Sequence, residues 1–297
     1  MTTVEVDGRH LTLSNLDKVL YPEVGFTKAQ VIDYYARIAP VMQRHTSGRC
    51  MTFRRYPDGV DGASFFEKRC PSHRPGWVRT AAGPGDRGGE IQYCRLEEPA
   101  AFVWAANLAA LELHAPMSLA EDLDSPRMLV FDLDPGEGVH IDGCASVALD
   151  LRTLLDGAGL QAFPKTSGSK GMQVYVPLNS PHTHAHASDF AFAAGQVLER
   201  RSPQRVTTTM KRSVRAGRVF IDWSQNSRHK TTICVYSLRA RRHPTVSTPV
   251  TWDEVSDAAD GRPLTFEAAE VLGRVEDLGD LFAPTLELVQ QLPGGDG

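Results

Sequence analysis

The chain has 297 residues, 41% of them hydrophobic, and a formal net charge of −4, an ordinary globular composition able to bury a sizeable core. No apolar run approaches the ~20 residues of a membrane span, and Met1-Thr2-Thr3-Val4-Glu5 lacks the basic-then-apolar pattern of a secretion signal, so no membrane partner and a cytoplasmic location are expected. The five cysteines, Cys50, Cys70, Cys94, Cys144 and Cys234, are odd in number, scattered and free of C-x-x-C, which reads as buried thiols rather than a disulfide framework.

Residues 4–13 alternate weakly and predict a short hairpin around Asp7-Gly8. Thr27 is a good N-cap for an amphipathic helix of about 17 residues whose Val31, Ile32, Tyr35, Ile38, Ala39 and Met42 share a face, ending at Gly48. Cys50 to Phe66 reads as strands broken by Pro57-Asp58-Gly59, and 81–90 as a turn region between strands. The Ala- and Leu-rich stretch 99–113 predicts a helix ending before Pro116. An apolar strand then carries Asp132, followed by a helix over 143–157, two strands within 160–178, a helix over 186–201, a strand over 218–223 and at least two helices in the acidic C-terminal part. Strands and helices mix without strict βαβ order, which favours an α+β fold with mixed or antiparallel sheets flanked by helices. No repeat or linker interrupts the chain. We therefore expect one domain over 1–297, with an N-terminal part (1–120), a core (121–245) and an acidic helical part (246–297).

Charge is unevenly distributed. Between Arg205 and Arg242 ten Lys/Arg stand against one acid, Asp222, whereas His243 to Gly297 holds eleven acids against two Arg. The basic stretch, with Lys211, Arg212, Arg215 and Arg218, suits a polyanion surface. The competing reading is a solvated face balanced by the acidic tail.

Three motifs carry chemistry. In Val130-Phe131-Asp132-Leu133-Asp134-Pro135-Gly136, carboxylates two apart on a strand share a face, lose solvation and repel, so they call for a neutralising cation. In Lys165-Thr166-Ser167-Gly168-Ser169-Lys170-Gly171, small residues let backbone N–H groups and hydroxyls approach phosphate oxygens, and Lys170 adds a point charge. In Val219-Phe220-Ile221-Asp222-Trp223, an acid in apolar surroundings requires a cation, either an Arg or a metal shared with Asp132 and Asp134. Cys70-Pro-Ser-His73 lacks a second half for zinc, and His182-Thr-His184-Ala-His186 reads as a polar loop before a helix.

Together, D-x-D, S-G-S-K-G and F-I-D-W resemble the primase-polymerases of the archaeo-eukaryotic primase superfamily, and more narrowly the polymerase domain of bacterial DNA ligase D and its stand-alone relatives. Ser14-Asn15-Leu16-Asp17-Lys18, Phe65-Phe66-Glu67-Lys68, Leu111-Glu112-Leu113-His114, Asp222-Trp223-Ser224-Gln225-Asn226 and Tyr236-Ser237-Leu238-Arg239 extend the resemblance in order over most of the chain. No K-x-D-G adenylation motif accompanies them.

The resemblance implies a primase-polymerase core with an RRM-like palm. It implies that Asp132, Asp134 and Asp222 are catalytic and hold two divalent ions, Mn²⁺ in preference to Mg²⁺. One ion would activate the primer 3′-hydroxyl and the other would bind the triphosphate. Ser167, Ser169, Lys170, Gln173, Gln225, Arg239 and His114 would bind the incoming NTP or dNTP, and Phe65 and Phe66 would stack on bases. Strand alternation allows only one of those Phe rings to face a given site. Lys18 and Lys28 would bind a DNA 5′-phosphate, Lys28 at a helix N-terminus. Many relatives carry His where this chain has Gln173, and Gln can neither carry a proton nor a positive charge.

The implied activity is template-dependent nucleotide addition, with a ribonucleotide preference, at gaps, overhangs or 5′-phosphorylated ends of DNA in the nucleoid. A DNA ligase and the end-binding protein Ku are the implied partners. The rivals are a non-catalytic DNA-end binding module that recruits a ligase, and a dedicated primase.

Overall fold

The strand Met128–Pro135 is the middle of a five-stranded sheet, and everything in that part of the chain is arranged around its two faces. A computed structural model describes residues 1–86 and 88–294. Across the sheet the order is Phe163–Thr166, Met172–Pro177, Met128–Pro135, Val219–Asp222 and Val206–Thr207. All neighbours are antiparallel except the last pair. Leu129, Phe131 and Leu133 lie opposite Val176, Val174 and Met172, and Leu133 also faces Ile221, giving one wholly apolar, buried face. The helices Ile141–Gly157 and His184–Arg201 cover that face. A Cβ at Gly143 would meet the Val219 side chain, and one at Gly195 the Ile221 side chain. Because side chains alternate, Asp132 and Asp134 point to the other face.

Past Asp222 the chain cannot continue pairing, because it enters a 3₁₀ turn over Trp223–Asn226. The buried Asn226 side chain then substitutes for a strand residue. Its Oδ1 accepts from Val130 N–H at 2.8 Å, and its Nδ2 donates to Val130 C=O at 2.8 Å and to Trp223 C=O at 2.9 Å. The turn carrying Asp222 is thereby pinned to the strand carrying Asp132.

The chain forms two compact units. The first comprises Met1–Pro116, Thr231–Ser247 and Phe266–Asp280, and the second Met117–Lys230, Thr248–Thr265 and Leu281–Gly297. The acidic C-terminal stretch is thus shared between them and forms no unit of its own, so its helices Trp252–Ala259 and Ala268–Leu278 belong to different units. The first unit is built on a four-stranded sheet ordered Thr232–Ile233, Ala110–Ala115, Thr52–Arg55 and Phe65–Glu67. Helix Lys28–Thr46 starts in a capping box between Thr27 and Gln30. It is fastened by two buried tyrosines: Tyr35 Oη donates to Leu111 C=O and Tyr34 Oη to Tyr236 C=O, each at 2.7 Å. The fold is α+β, as its mixed order of elements implies.

Two expectations are corrected. The helix expected over 99–113 stops at Asn107. Ala109 has φ +57°, a left-handed conformation that ends the helix, and Ala110–Ala115 is a central strand. Its Leu111 and Leu113 suit a helix or a strand, and pairing with Thr52–Arg55 decides. The cysteines are not all thiols either, because Cys70 and Cys94 form a disulfide. Cys70 N–H donates to Gln92 C=O at 2.7 Å, which lays Cys70 beside the strand Glu90–Cys94 with a Cα–Cα distance of 4.8 Å. Cys50, Cys144 and Cys234 are buried thiols. The turn expected over 81–90 narrows to 85–89 between strands Thr80–Pro84 and Glu90–Cys94, with Arg87 outside the described residues.

Replacing Asn226 with Ala strands the buried N–H and C=O of Val130. At ~1–3 kcal/mol for each unsatisfied buried group, a loss of about 2–4 kcal/mol of stability is expected in urea denaturation. A loss below about 0.5 kcal/mol would refute the pinning role.

Candidate active site

Asp132 and Asp222 are directly opposed across neighbouring strands, and Asp134 follows Asp132 on the same face. Three carboxylates on adjoining strands of one sheet face form the densest negative feature of the second unit. Burial, followed by the charges of Asp134 and Asp222, pushes the Asp132 carboxyl up from 3.8 to about 7, against a hydrogen bond from Gln173 and the charge of Lys165. The donor set is hard oxygen, suited to Mg²⁺ or Mn²⁺. The carboxylates are neighbours but do not converge. Among the described residues no three His, Cys, Asp or Glu side chains are already gathered as metal ligands. Asp222 is held by its own turn: its Oδ1 accepts from Ser224 N–H at 3.1 Å and Ser224 Oγ at 2.6 Å, and its Oδ2 from Gln225 Nε2 at 2.8 Å.

The pairing register continues the row beyond the acids. Lys165 lies opposite Gln173, Gln173 opposite Asp132, and Asp132 opposite Asp222, so four strands contribute one polar residue each to a line across the sheet. Lys165 is buried, and its Nζ donates to Gln173 Oε1 at 2.5 Å and lies 5.4 Å from the Tyr175 ring centroid. With its oxygen turned to Lys165, the Gln173 amide presents its N–H₂ to Asp132.

The Ser-Gly-Ser-Lys-Gly turn packs tightly against the acid strand. A Cβ at Gly171 would come within 2.1 Å of Leu133 C=O, so only glycine fits there. Gly168 has φ +67°. Ser167 Oγ is turned inward, accepting from the N–H groups of Ser169 at 3.2 Å and Gly171 at 3.3 Å. Lys170 is exposed and Ser169 half-buried. The turn after the acid strand is equally close-packed, since a Cβ at Gly136 would lie 1.8 Å from Arg215 C=O. In the neighbouring basic segment Lys211 and Arg212 are exposed, while Arg215 and Arg218 are half-buried. Arg215 stacks 3.5 Å above Phe220 and donates to Met210 C=O at 2.6 Å. Among the described residues none of the four forms an ion pair with the acidic C-terminal stretch, and the pairs made by the surrounding basic stretch run instead from Arg205 to Asp150, Arg228 to Asp124, Arg239 to Glu112 and Arg242 to Glu23.

The first unit holds a different cluster. Strand alternation puts Glu112 and His114 on one face of their strand, with Arg54 directly opposite Glu112 and Phe66 opposite Arg54. The Phe66 ring lies edge-on to His114 with centroids 5.6 Å apart, whereas Phe65 turns to the other face beside Arg55. Both Phe rings are unusually open, at 45% for Phe65 and 57% for Phe66, which argues against a core role for either. Glu112 Oε1 accepts from Arg239 Nε and Ala240 N–H, each at 3.1 Å.

Lys28 is buried rather than a solvated surface lysine, and Lys18 is half-exposed. Lys28 Nζ donates to Ser14 C=O at 2.7 Å, and Lys18 pairs with Asp58 at 2.8 Å. Both line a cleft of about 190 Å³ with Ser14, Asn15, Arg55 and Asn107. Burial, followed by the charges of Lys18 and Arg55, pulls the Lys28 ammonium below its usual range.

Sequence reasoning missed Arg54 and Arg55, and it quoted Lys165 and Asn226 within motifs without giving either a task. It quoted Glu112 without a task, because a helix there scatters the alternation that joins Glu112 to His114. Of the three histidines near 184, His184 is structural: it opens its helix and its ring nitrogens lie 2.7 Å from Asn226 C=O and 3.1 Å from Leu123 C=O.

Asp132 gives a pH test. Between its ordinary value of 3.8 and about 7 the folded chain binds more protons there than the unfolded chain. Stability therefore falls as pH rises through that window and levels above it. In chelator, Asp132→Asn should be more stable than the unsubstituted chain above the window, by about 2 kcal/mol once solvent screening discounts the full ~1.4 kcal/mol per unit. The difference should vanish at lower pH. A constant difference across pH in thermal melts would refute this.

The sequence profile described as "LigD, primase-polymerase domain" matches residues 27–282. The chain is 46% identical over 274 residues to the multifunctional non-homologous end joining protein LigD of Mycolicibacterium smegmatis, covering 92% of this chain and 35% of that protein. It is 29% identical over 273 residues to the bifunctional non-homologous end joining protein LigD of Bacillus subtilis, covering 92% and 43%. The polymerase domain of Mycobacterium tuberculosis Ligase D, solved in complex with DNA, superposes with a TM-score of 0.87 at 43% identity, covering 94% of this chain and 99% of that one. The chain thus spans well under half the length of these two LigD relatives. On the breadth of the profile match and this level of identity, the chain belongs to the LigD primase-polymerase domain family.

Proposed function

We propose that this chain is a metal-dependent, template-directed nucleotidyltransferase that extends primer ends at gaps and broken ends of DNA during non-homologous end joining. The observation that carries the reading is the triad Asp132, Asp134 and Asp222 on one sheet face, where burial and then the neighbouring acids raise the Asp132 carboxyl and a cation would offset that cost. Divalent cations bound by these acids would supply Lewis-acid stabilisation of the transferring phosphoryl group. Mn²⁺ is the proposed ion. For Asp222 to serve as a ligand it must release at least part of its hold on Ser224 and Gln225, which leaves both side chains able to donate elsewhere. Lys170, Ser167, Ser169, Gln173 and Gln225 are proposed to orient the nucleotide, and Arg239 and His114 are proposed as phosphate ligands. Phe66 or Phe65 would stack on bases.

The Lys18–Lys28 cleft is the proposed 5′-phosphate site. Burial and then the charges of Lys18 and Arg55 disfavour the Lys28 ammonium there, a cost that a dianion offsets. Lys211, Arg212, Arg215 and Arg218 are the proposed duplex track. A preference for ribonucleotides, cooperation with a DNA ligase and with Ku, and work at the chromosome complete the proposal; relatives named as end-joining proteins support it. No helix among the described residues is long and apolar enough to cross a membrane.

The direct test is extension of a gapped duplex with a 5′-phosphorylated downstream strand, comparing ribo- with deoxyribonucleotides. Asp132→Ala, Asp134→Ala and Asp222→Ala should each reduce addition at least ~10³-fold while the chain stays folded. Near-normal extension by any of them would sink the assignment, and no extension by the unsubstituted chain, with intact end binding, would favour a non-catalytic module.

Lys28→Ala should weaken binding to the gapped duplex by about 1.5–3 kcal/mol, the worth of a charge-assisted phosphate contact, only when the downstream end is phosphorylated. Lys18→Ala should do the same. Equal loss on unphosphorylated DNA, measured by fluorescence anisotropy, would indicate generic electrostatics.

A further inference from the structure

Glu112 is a buried acid, 2% exposed, that the proposed chemistry does not itself use. Four donors surround it: Arg239 Nε and Ala240 N–H at Oε1, His114 Nε2 at 3.1 Å from Oε2, and Arg54 Nη1 at 3.7 Å from Oε2. Burial alone would protonate such a carboxyl, yet the bonds from His114 and Arg239 carry it down to about 2, so it is ionised at any working pH. An ionised carboxylate only accepts hydrogen bonds. The 3.1 Å contact therefore requires the hydrogen of His114 to sit on Nε2, and Nδ1 is the nitrogen left for a ligand.

That tautomer has a chemical consequence. In the neutral ring Nδ1 carries a lone pair, which a phosphate oxygen cannot accept from. The ring binds phosphate only if Nδ1 gains a hydrogen. The groups that face the ring are Glu112 on its own strand, Arg54 from the neighbouring strand, Arg239 from the loop after Thr232–Ile233, and the edge of Phe66. Burial and the two arginines disfavour a charged ring, and Glu112 favours it. The arrival of a phosphate offsets the arginines and leaves the ring between two anions.

We propose that Glu112 makes His114 a proton-coupled phosphate ligand: binding of the nucleoside triphosphate draws one proton from solvent onto His114 Nδ1, which then donates to a phosphate oxygen while Nε2–H stays on Glu112. His114 is the ligand, and Glu112 is the positioning residue that fixes which nitrogen takes the proton. This rests on the reading of His114 and Arg239 as phosphate ligands.

The experiment is calorimetry of a non-hydrolysable nucleoside triphosphate with Mg²⁺ at about pH 8, where the nucleotide is itself fully ionised. Repeating the titration in buffers of different ionisation enthalpy counts the protons taken up. The unsubstituted chain should take up close to one proton, and its affinity should fall about tenfold per pH unit above the titration of the ring. His114→Asn should take up none and bind more weakly. Glu112→Gln keeps an oxygen for Arg239 and Ala240 but turns an N–H₂ toward His114 Nε2, which moves the ring hydrogen to Nδ1. The variant should bind without proton uptake and with pH-independent affinity, and the ¹⁵N shifts of His114 should report the reversed tautomer. Should Glu112→Gln melt at lower temperature than the unsubstituted chain, the His114→Asn comparison carries the test alone. No uptake by the unsubstituted chain, or equal uptake by His114→Asn, overturns the proposal. If His114→Asn and Arg239→Ala both bind triphosphate normally, the phosphate reading itself falls.

Discussion

The burial of Asp132 beside two further carboxylates on one sheet face is the constraint from which the second unit is built. Asp132 can remain on a central strand only because the opposite face of that strand is apolar and covered by two helices, so the sheet is stabilised from behind while its front stays unfavourable. The front is then managed by fixed dipoles and a single buried ammonium. Gln173 donates to Asp132, Lys165 holds Gln173, and Ser224 and Gln225 hold Asp222. The acids persist as an electrostatically unfavourable arrangement on a fixed scaffold, which the proposed cation would relieve.

The first unit solves the converse problem. Its cations cluster, and one buried anion organises them. Glu112 takes hydrogen bonds from Arg239 and His114 and stands opposite Arg54, so three cationic or protonatable groups are oriented by one carboxylate. The Lys18–Lys28–Arg55 cleft lacks such a central acid, since Lys18 pairs with Asp58 and Arg55 with Glu67. The two clusters therefore differ in what they ask of a ligand. The cleft offers several cations with separate partners, whereas the Glu112 cluster offers direction.

Much of this was legible in the sequence where local pattern and tertiary need coincide. Apolar residues before Asp132 signalled a strand, Thr27 signalled a helix start, and Gly171 signalled a turn whose tightness the contact with Leu133 explains. Alternation correctly separated Phe65 from Phe66. Legibility failed where a pattern served two periods. Ala110–Ala115 is apolar enough for a helix, and only pairing with Thr52–Arg55, far away in the chain, makes it a strand. The Cys70–Cys94 disulfide and the Lys165–Gln173 contact failed for the same reason, since each is set by which strands lie side by side. Asn226 was hidden because its task, standing in for a missing strand residue, leaves no trace in composition.

The glutamine at 173 shows how such a row can change without collapse. A histidine facing an acid on one side must carry a proton to supply charge there, so its contribution varies with pH. An amide supplies a hydrogen bond and no charge. Here the two tasks are divided between strands: Gln173 supplies the hydrogen bond to Asp132, and Lys165, one strand further out, supplies the charge. The Lys165 ammonium lies over the Tyr175 ring, 5.4 Å from its centroid, and is held by the Gln173 oxygen at 2.5 Å. That orientation leaves the amide nitrogen with one direction in which to donate. Substitution of either residue alone would unbalance the other, so Lys165 and Gln173 act on Asp132 as a pair.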